Sequence, residues 1–149
     1  KEENINADIK WLNDIYYNNK KVCGILCENS FLGKEYQYSI IGVGLNIYKP
    51  KTELAIFNEK ATHIFDNSID LELLISRIIN NFYDYLNDQQ YINRYRNKLN
   101  MINKKISIDN NVYTVVDILK DGRLYVKDEN ENIKYLNYLV QNIRIIDEY

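Results

Sequence analysis

The sequence predicts an α+β chain, in which an antiparallel sheet with packed helices precedes a small five-stranded barrel. Three observations predict it. β-prone apolar runs, joined by an Asn-Asn turn and a Gly-containing turn, fill residues 15–48. Helically spaced apolar residues take over from Leu71 to Leu99. From Lys104, five short strand-like runs recur between Asn, Asp and Gly turns. With 149 residues and 46% hydrophobic content, the chain can bury one core plus a satellite, but not two large domains. The expected division is 1–103 and 104–149.

In chain order, Ile15 to Tyr17 and Val22 to Cys27 read as a hairpin around Asn18-Asn19, a pair that tolerates the positive φ of a tight turn. Just ahead, Lys10, Trp11, Asn13 and Asp14 bring an ammonium, an aromatic ring and two hydrogen-bonding side chains to the start of the first strand. On its own this group reads equally as an anion-handling arrangement and as a surface turn. A third strand, Tyr36 to Tyr48, completes a three-strand meander. Within it Gly42 and Gly44 strip the side chains from one face, which suits ligand approach and the packing of a helix or Trp about equally. Asn46 follows on the same face with an amide that both donates and accepts, and it inclines the reading toward a ligand.

Pro50 ends this strand, and residues 51–66 form a polar connection in which His63 is a loop residue with no carboxylate or nucleophile evident beside it. Asp70 caps a helix whose stripe of Leu71, Leu74, Ile75, Ile78, Ile79, Phe82 and Leu86 is expected in the core. Asp88 caps a shorter helix, with Tyr91, Ile92, Tyr95 and Leu99 inward and Arg94, Arg96 and Lys98 in solvent. The final strands are Ile106 to Ile108, Val112 to Ile118, Leu124 to Val126, Ile133 to Leu136 and Ile143 to Ile146. Turns at Asn110-Asn111, Asp121-Gly122 and Asp128 to Asn132 join them into a barrel of the SH3-like kind.

Charge and composition exclude several classes. A formal net charge of -2, with both signs mixed along the chain, argues against a nucleic-acid surface. No apolar run approaches the ~20 residues that span a bilayer, and Lys1-Glu2-Glu3-Asn4 does not begin a signal peptide, so no membrane partner is expected and a cytoplasmic location is. Cys23 and Cys27 share one strand face too far apart to bridge, and with a single His no metal site is expected. None of the arginines, Arg77, Arg94, Arg96, Arg123 and Arg144, lies near Lys10, so anion handling there would fall to lysines and backbone.

Set in order, Lys10-Trp11-Leu12-Asn13-Asp14, Gly24-Ile25-Leu26-Cys27-Glu28 and Gly42-Val43-Gly44-Leu45-Asn46 resemble three successive motifs of the biotin protein ligases, Lys-Trp-Pro-Asn-Asp, Gly-Ile-Leu-x-Glu and Gly-x-Gly-x-Asn. That family continues with an Ala-Thr-Ser segment, matched here by Ala61-Thr62-His63, then a helix pair and an SH3-like domain. The resemblance implies a catalytic domain of the class II aminoacyl-tRNA synthetase and biotin ligase type. It implies ATP, biotin and Mg2+ as ligands, with biotin activated as biotinyl-5'-AMP and passed to a lysine of a biotin carboxyl carrier protein domain. Lys10 is implied as the catalytic lysine, and Lys10, Trp11, Asn13, Asp14, Gly24, Gly42, Gly44 and Asn46 as contacts to biotin and adenylate.

Two departures qualify this. Leu12 stands where the family has proline, which gives up a fixed φ beside Trp11. The family's Gly- and Arg-rich loop belongs upstream of Lys10, so the chain is expected to be the C-terminal part of such an enzyme, inactive without the N-terminal half. DNA would be a partner only if the parent protein also carried a DNA-binding domain. Without that half, Tyr36, Tyr38, Ile40, Val43, Leu45 and Ile47 are expected to lack cover and to draw the chain into a homo-oligomer. A lipoate-type ligase of the same superfamily and a non-catalytic module built on the barrel are the alternatives.

Overall fold

A computed structural model describes residues 5–50, 60–140 and 143–146. By internal packing the chain divides into two units, Lys1–Tyr83 and Asp84–Tyr149. The break falls twenty residues ahead of the expected one, because the second helix is tied to the final strands rather than to the first sheet.

The first unit holds one antiparallel sheet of order β1-β2-β3-β4, built from β1 (Asp8–Lys10), β2 (Asp14–Tyr17), β3 (Lys20–Leu32) and β4 (Glu35–Leu45). The expected meander is its last three strands. Asn18 and Asn19 both take positive φ, 49° and 60°, and close the β2–β3 hairpin. Gly33, at φ 63°, serves the β3–β4 turn. Two expectations are corrected here. Lys10 does not stand ahead of the first strand but ends a strand of its own, paired with Asp14. The third strand stops at Leu45 rather than Tyr48, because Asn46 and Ile47 turn their carbonyls to the N–H groups of Ile64 and Phe65.

Asp70 caps helix α1 (Leu71–Tyr85) as expected, its carboxylate accepting from the Leu73 N–H at 2.9 Å. The apolar stripe does not form core: α1 buries none of its side chains, and Ile75, Ile79 and Phe82 are exposed. The stripe is correctly spaced, but no described element lies on it. Tyr36, Tyr38, Ile40 and Val43 are exposed as expected, whereas Leu45 and Ile47 are half-buried.

In the second unit, helix α2 (Tyr91–Lys98) precedes strands β5 (Lys105–Ile108), β6 (Asn111–Ile118), β7 (Leu124–Lys127), β8 (Ile133–Leu136) and β9 (Arg144–Ile146). Their order, β8-β7-β6-β5-β9, is a meander whose last strand returns beside its first. The fold is therefore α+β with antiparallel sheets, and the SH3-like closure is a proposal. The first turn sits at Asp109-Asn110, both at positive φ, so Asn111 begins β6 instead of turning.

Helix α2 starts at Gln90 without a side-chain cap; Asp88 instead accepts from the Gln90 N–H and from Arg94, and these bonds hold its carboxyl below the usual carboxylate range. Arg96 is not simply solvated, since it pairs with Asp117 of β6 and donates to the Ile118 carbonyl. Tyr91 is exposed, its hydroxyl donating to the Lys120 carbonyl, whereas Ile92 and Leu99 are buried. Burial pushes the Tyr95 hydroxyl up to about 12. Met101, Ile106, Val115, Leu124 and Val126 are fully enclosed. Met101→Ala should therefore cost about 2–5 kcal/mol in urea unfolding, while Ile79→Ala, on the uncovered stripe, should change stability by less than about 0.5 kcal/mol.

Candidate functional site

The site grows from one irregularity. A two-residue turn at Asn18-Asn19 pairs Tyr17 with Lys20 and Tyr16 with Lys21, and regular pairing would then set Asp14 opposite Cys23. Between Ile15 and Tyr16 the register slips: Ile15 faces Cys23 and Asp14 faces Gly24, which leaves Val22 as the extra residue of a β-bulge. The slip lines up Lys10, Asp14, Gly24 and Gly44 across all four strands, with Gly42 opposite Leu26 in the adjoining row. Directly opposed residues of an antiparallel sheet share a face, so one ammonium, one carboxylate and three glycines belong to the same face.

That face carries an open cavity of about 460 Å³, lined by Asn13, Asp14, Lys21, Gly24, Ile25, Leu26, Gly42, Val43 and Gly44. The glycines leave its floor bare. A Cβ on Gly42 would come no nearer than 3.9 Å to Leu26, and one on Gly44 no nearer than 3.8 Å to the Gly24 carbonyl. Both neighbours belong to the sheet itself. No helix or Trp lies on these glycines among the described residues, so of the two readings of Gly42 and Gly44 the geometry favours open approach.

The expected site residues do not all meet there. Asn13, Asp14, Gly24, Gly42 and Gly44 line the cavity. Lys10 does not; its Nζ lies over the Tyr16 ring, 5.4 Å from the centroid and 3.5 Å from the hydroxyl. Trp11 is buried at 6% exposure, and its peptide bond to Leu12 is cis. Asn13 clamps β3 twice, with its side-chain amide donating to the Ile25 carbonyl and its own carbonyl accepting from the Ile25 N–H at 2.9 Å. Asn46 lies outside the cavity lining, its amide donating to the Thr62 carbonyl at 3.1 Å.

Lys21 escaped the sequence reading. Its ammonium lies 2.6 Å from Asp14 and would stand 3.2 Å from a Cβ on Gly24, so the absent side chain of Gly24 is what lets Lys21 cross the strand to the carboxylate. The signal was present in the hairpin turn, which sets Lys21 opposite Tyr16, two residues along β2 from Asp14 and on its face. His63 has a carboxylate beside it after all, with Asp66 2.8 Å from its Nε2, a contact of the (i, i+3) kind within a loop. Among the described residues no three His, Cys, Asp or Glu side chains converge on a metal position.

Both cysteines are free thiols, Cys23 buried and Cys27 exposed. Burial pushes the Cys23 thiol above its ordinary value, and nearby Lys21 offsets part of that rise. A thiol raised in the folded state contributes stability in full below the unfolded value of 9.0 and loses it as pH rises through the folded value. Iodoacetamide at pH 8 should therefore alkylate Cys27 in the native chain and reach Cys23 only on unfolding, as peptide mass mapping would show.

A second expectation concerns the floor. None of Gly24, Gly42 and Gly44 has positive φ, so Gly42→Ala and Gly44→Ala should raise stability by about 0.5–1 kcal/mol in urea unfolding. Destabilisation by either would mean that these glycines are packed against.

Residues 1–46 match the model of the Biotin/lipoate A/B protein ligase family. All eight expected site residues fall inside that match. Over 43 residues the chain is 49% identical to Biotin--protein ligase 1, chloroplastic, of Arabidopsis thaliana, a stretch covering 29% of this chain and 11% of that protein. Among solved structures, apo biotin protein ligase from Aquifex aeolicus superposes with a TM-score of 0.71 at 22% identity, over 94% of this chain and 65% of that one. The same enzyme in complex with biotin and ATP gives 0.71 at 20% identity, over 94% and 62%. The chain thus spans less than two thirds of the length of these relatives, and at such identities the superposition speaks for the fold. In the motifs of its first 46 residues and in its fold, the chain resembles the biotin protein ligases.

Proposed function

We propose that this chain carries the adenylate-forming surface of a biotin protein ligase. The observation that supports this best is the row Lys10, Asp14, Gly24 and Gly44, beside a cavity whose floor is bare backbone. A nucleotide ester can lie flat only where no Cβ lifts it, and Gly42 and Gly44 on one face provide that, with the Lys21 side chain over Gly24.

In the proposed reaction the biotin carboxylate attacks the α-phosphorus of ATP. A carboxylate oxygen–phosphorus bond forms, the bond to the β-phosphate bridge breaks, and pyrophosphate leaves. Two anions approach in this step, so a cation at the reacting centre counts for more in the transition state than in the ground state. Lys10 is proposed for that role. Its four-carbon stem lets the ammonium swing from the Tyr16 ring, which it meets at 5.4 Å from the centroid. Magnesium would come with ATP, on phosphate oxygens rather than in a protein cage. The biotinyl group would then pass to a lysine amine of a carrier domain in a biotin-dependent carboxylase, with AMP leaving.

The family model covers lipoate as well as biotin enzymes, which makes lipoate activation the second reading. Pyrophosphate release separates them, measured with biotin and with lipoate on the chain alone and on the chain supplemented with the segment of the solved relatives that it does not span. The first reading expects release with biotin, lowered more than about a hundredfold by Lys10→Ala. Release with lipoate alone supports the second, and release with neither acid marks a non-catalytic module. Near-normal release by the Lys10→Ala variant removes Lys10 from the chemistry.

A further inference from the structure

Two lysines and their partners are crossed on the sheet face that carries the site. Lys10 stands directly opposite Asp14, and Lys21 directly opposite Tyr16. Each lysine nevertheless reaches the other's partner. The Lys10 ammonium lies 5.4 Å from the centroid of the Tyr16 ring and 3.5 Å from its hydroxyl, while the Lys21 ammonium pairs with Asp14 at 2.6 Å. Across antiparallel strands, diagonal neighbours two residues along are within reach of long and aromatic side chains, so both crossed contacts are ordinary in geometry. They are not neutral in charge. Paired straight across, Lys10 would meet Asp14 and have its charge matched by a carboxylate. Crossed, Lys21 matches Asp14, and Lys10 is left against an uncharged ring.

We propose that Tyr16 is a positioning residue for Lys10, its ring keeping the ammonium off the carboxylate of Asp14. An aromatic face attracts a cation through its quadrupole and carries no net charge to cancel it. An ammonium held there keeps its charge for an incoming anion. One paired with Asp14 would first have to leave that carboxylate, whose own charge repels the anion. Gly24 supports the arrangement from the other side: a Cβ there would stand 3.2 Å from the Lys21 Nζ, and its absence lets Lys21 cross to Asp14 and occupy the carboxylate that Lys10 faces. The bearing of Tyr16 on the reaction rests on the proposed function, whereas the crossed pairing does not, so the two stand or fall on different measurements.

The test compares wild type, Tyr16→Phe and Tyr16→Leu. In the 149-residue chain, nuclear Overhauser contacts from the Lys10 ε-protons report where the ammonium rests, with Lys10→Arg used to assign them. Wild type and Tyr16→Phe should show contacts to the ring at position 16. Tyr16→Leu should lose them and gain contacts to the Asp14 β-protons. In pyrophosphate release by the supplemented chain, Tyr16→Leu should lower kcat about ten- to a hundredfold with KM for biotin and ATP within about twofold, the pattern of a misplaced charge rather than of lost binding. Tyr16→Phe, which keeps the ring, should restore most of the rate. Thermal unfolding checks that each variant is folded, and should Tyr16→Leu not be, the β-branched Tyr16→Ile takes its place.

A Lys10 ammonium that stays in place in Tyr16→Leu, or moves to Asp8 or into solvent rather than to Asp14, overturns the inference. So does a rate unchanged in Tyr16→Leu, or one lost equally in Tyr16→Phe. If the ammonium moves to Asp14 while wild type releases no pyrophosphate with either acid, the positioning of Lys10 stands and the ligase reading falls.

Discussion

The first unit depends on the β-bulge at Val22. An extra residue in β3 shapes both the site row and the backbone bonding around it. It moves Asp14 from Cys23 to Gly24 and so creates the row from Lys10 to Gly44. Around it, the Val22 carbonyl accepts from the Asn46 N–H at 2.7 Å and the Lys21 carbonyl from the Thr62 N–H at 2.9 Å. A bulge leaves backbone groups unpaired that would be costly if buried without partners. Asn46 and Thr62 satisfy both groups, and residues 61–65 return to the sheet there.

This accounts for what could be read in the sequence and what could not. The hairpin was legible because Asn18-Asn19 is a strong local signal lying between two apolar runs. Asp70 was legible as a cap because capping is settled within four residues. The three motifs lie along the strands and the turn that line the cavity. The bulge was not legible, since a one-residue slip depends on which register buries Val22 and Cys23 best, a tertiary choice. With the slip unseen, Gly24 could not be set opposite Asp14, nor be understood as the position over which Lys21 passes. Asn46 was read from strand parity as facing a ligand, while its amide N–H is committed to Thr62. The carboxylates Asp66 and Asp117 were missed as partners of His63 and Arg96 for a related reason: loop conformation and helix-to-strand packing leave no periodic trace.

The α1 stripe shows a different limit. Spacing at i, i+3 and i+4 identifies an apolar face and says that something must cover it, but it does not say that the cover belongs to the same chain. Here the face and both surfaces of the outer β3–β4 ribbon are exposed together. Apolar surface on that scale is uncommon on soluble monomers and marks an interaction face. The second unit meets the ordinary rule instead, enclosing Ile106, Val115, Leu124 and Val126 between its own strands.

Within the first unit, the buried apolar side chains among the described residues are Trp11, Val22 and Cys23. Val22 is the bulge residue, Cys23 follows it, and Trp11 lies in the turn between β1 and β2. The packed part of the unit and the candidate site are thus built from the same short stretch, with rigidity concentrated where the row of Lys10, Asp14 and Gly24 needs it. Trp11 is buried between Lys10, whose ammonium lies over Tyr16, and Asn13, whose amide is bound to Ile25. The ammonium of Lys10 rests over the Tyr16 ring, 5.4 Å from its centroid, whereas that of Lys21 is ion-paired at 2.6 Å. The two lysines differ in this respect because a carboxylate lies beside one of them and an aromatic ring beside the other.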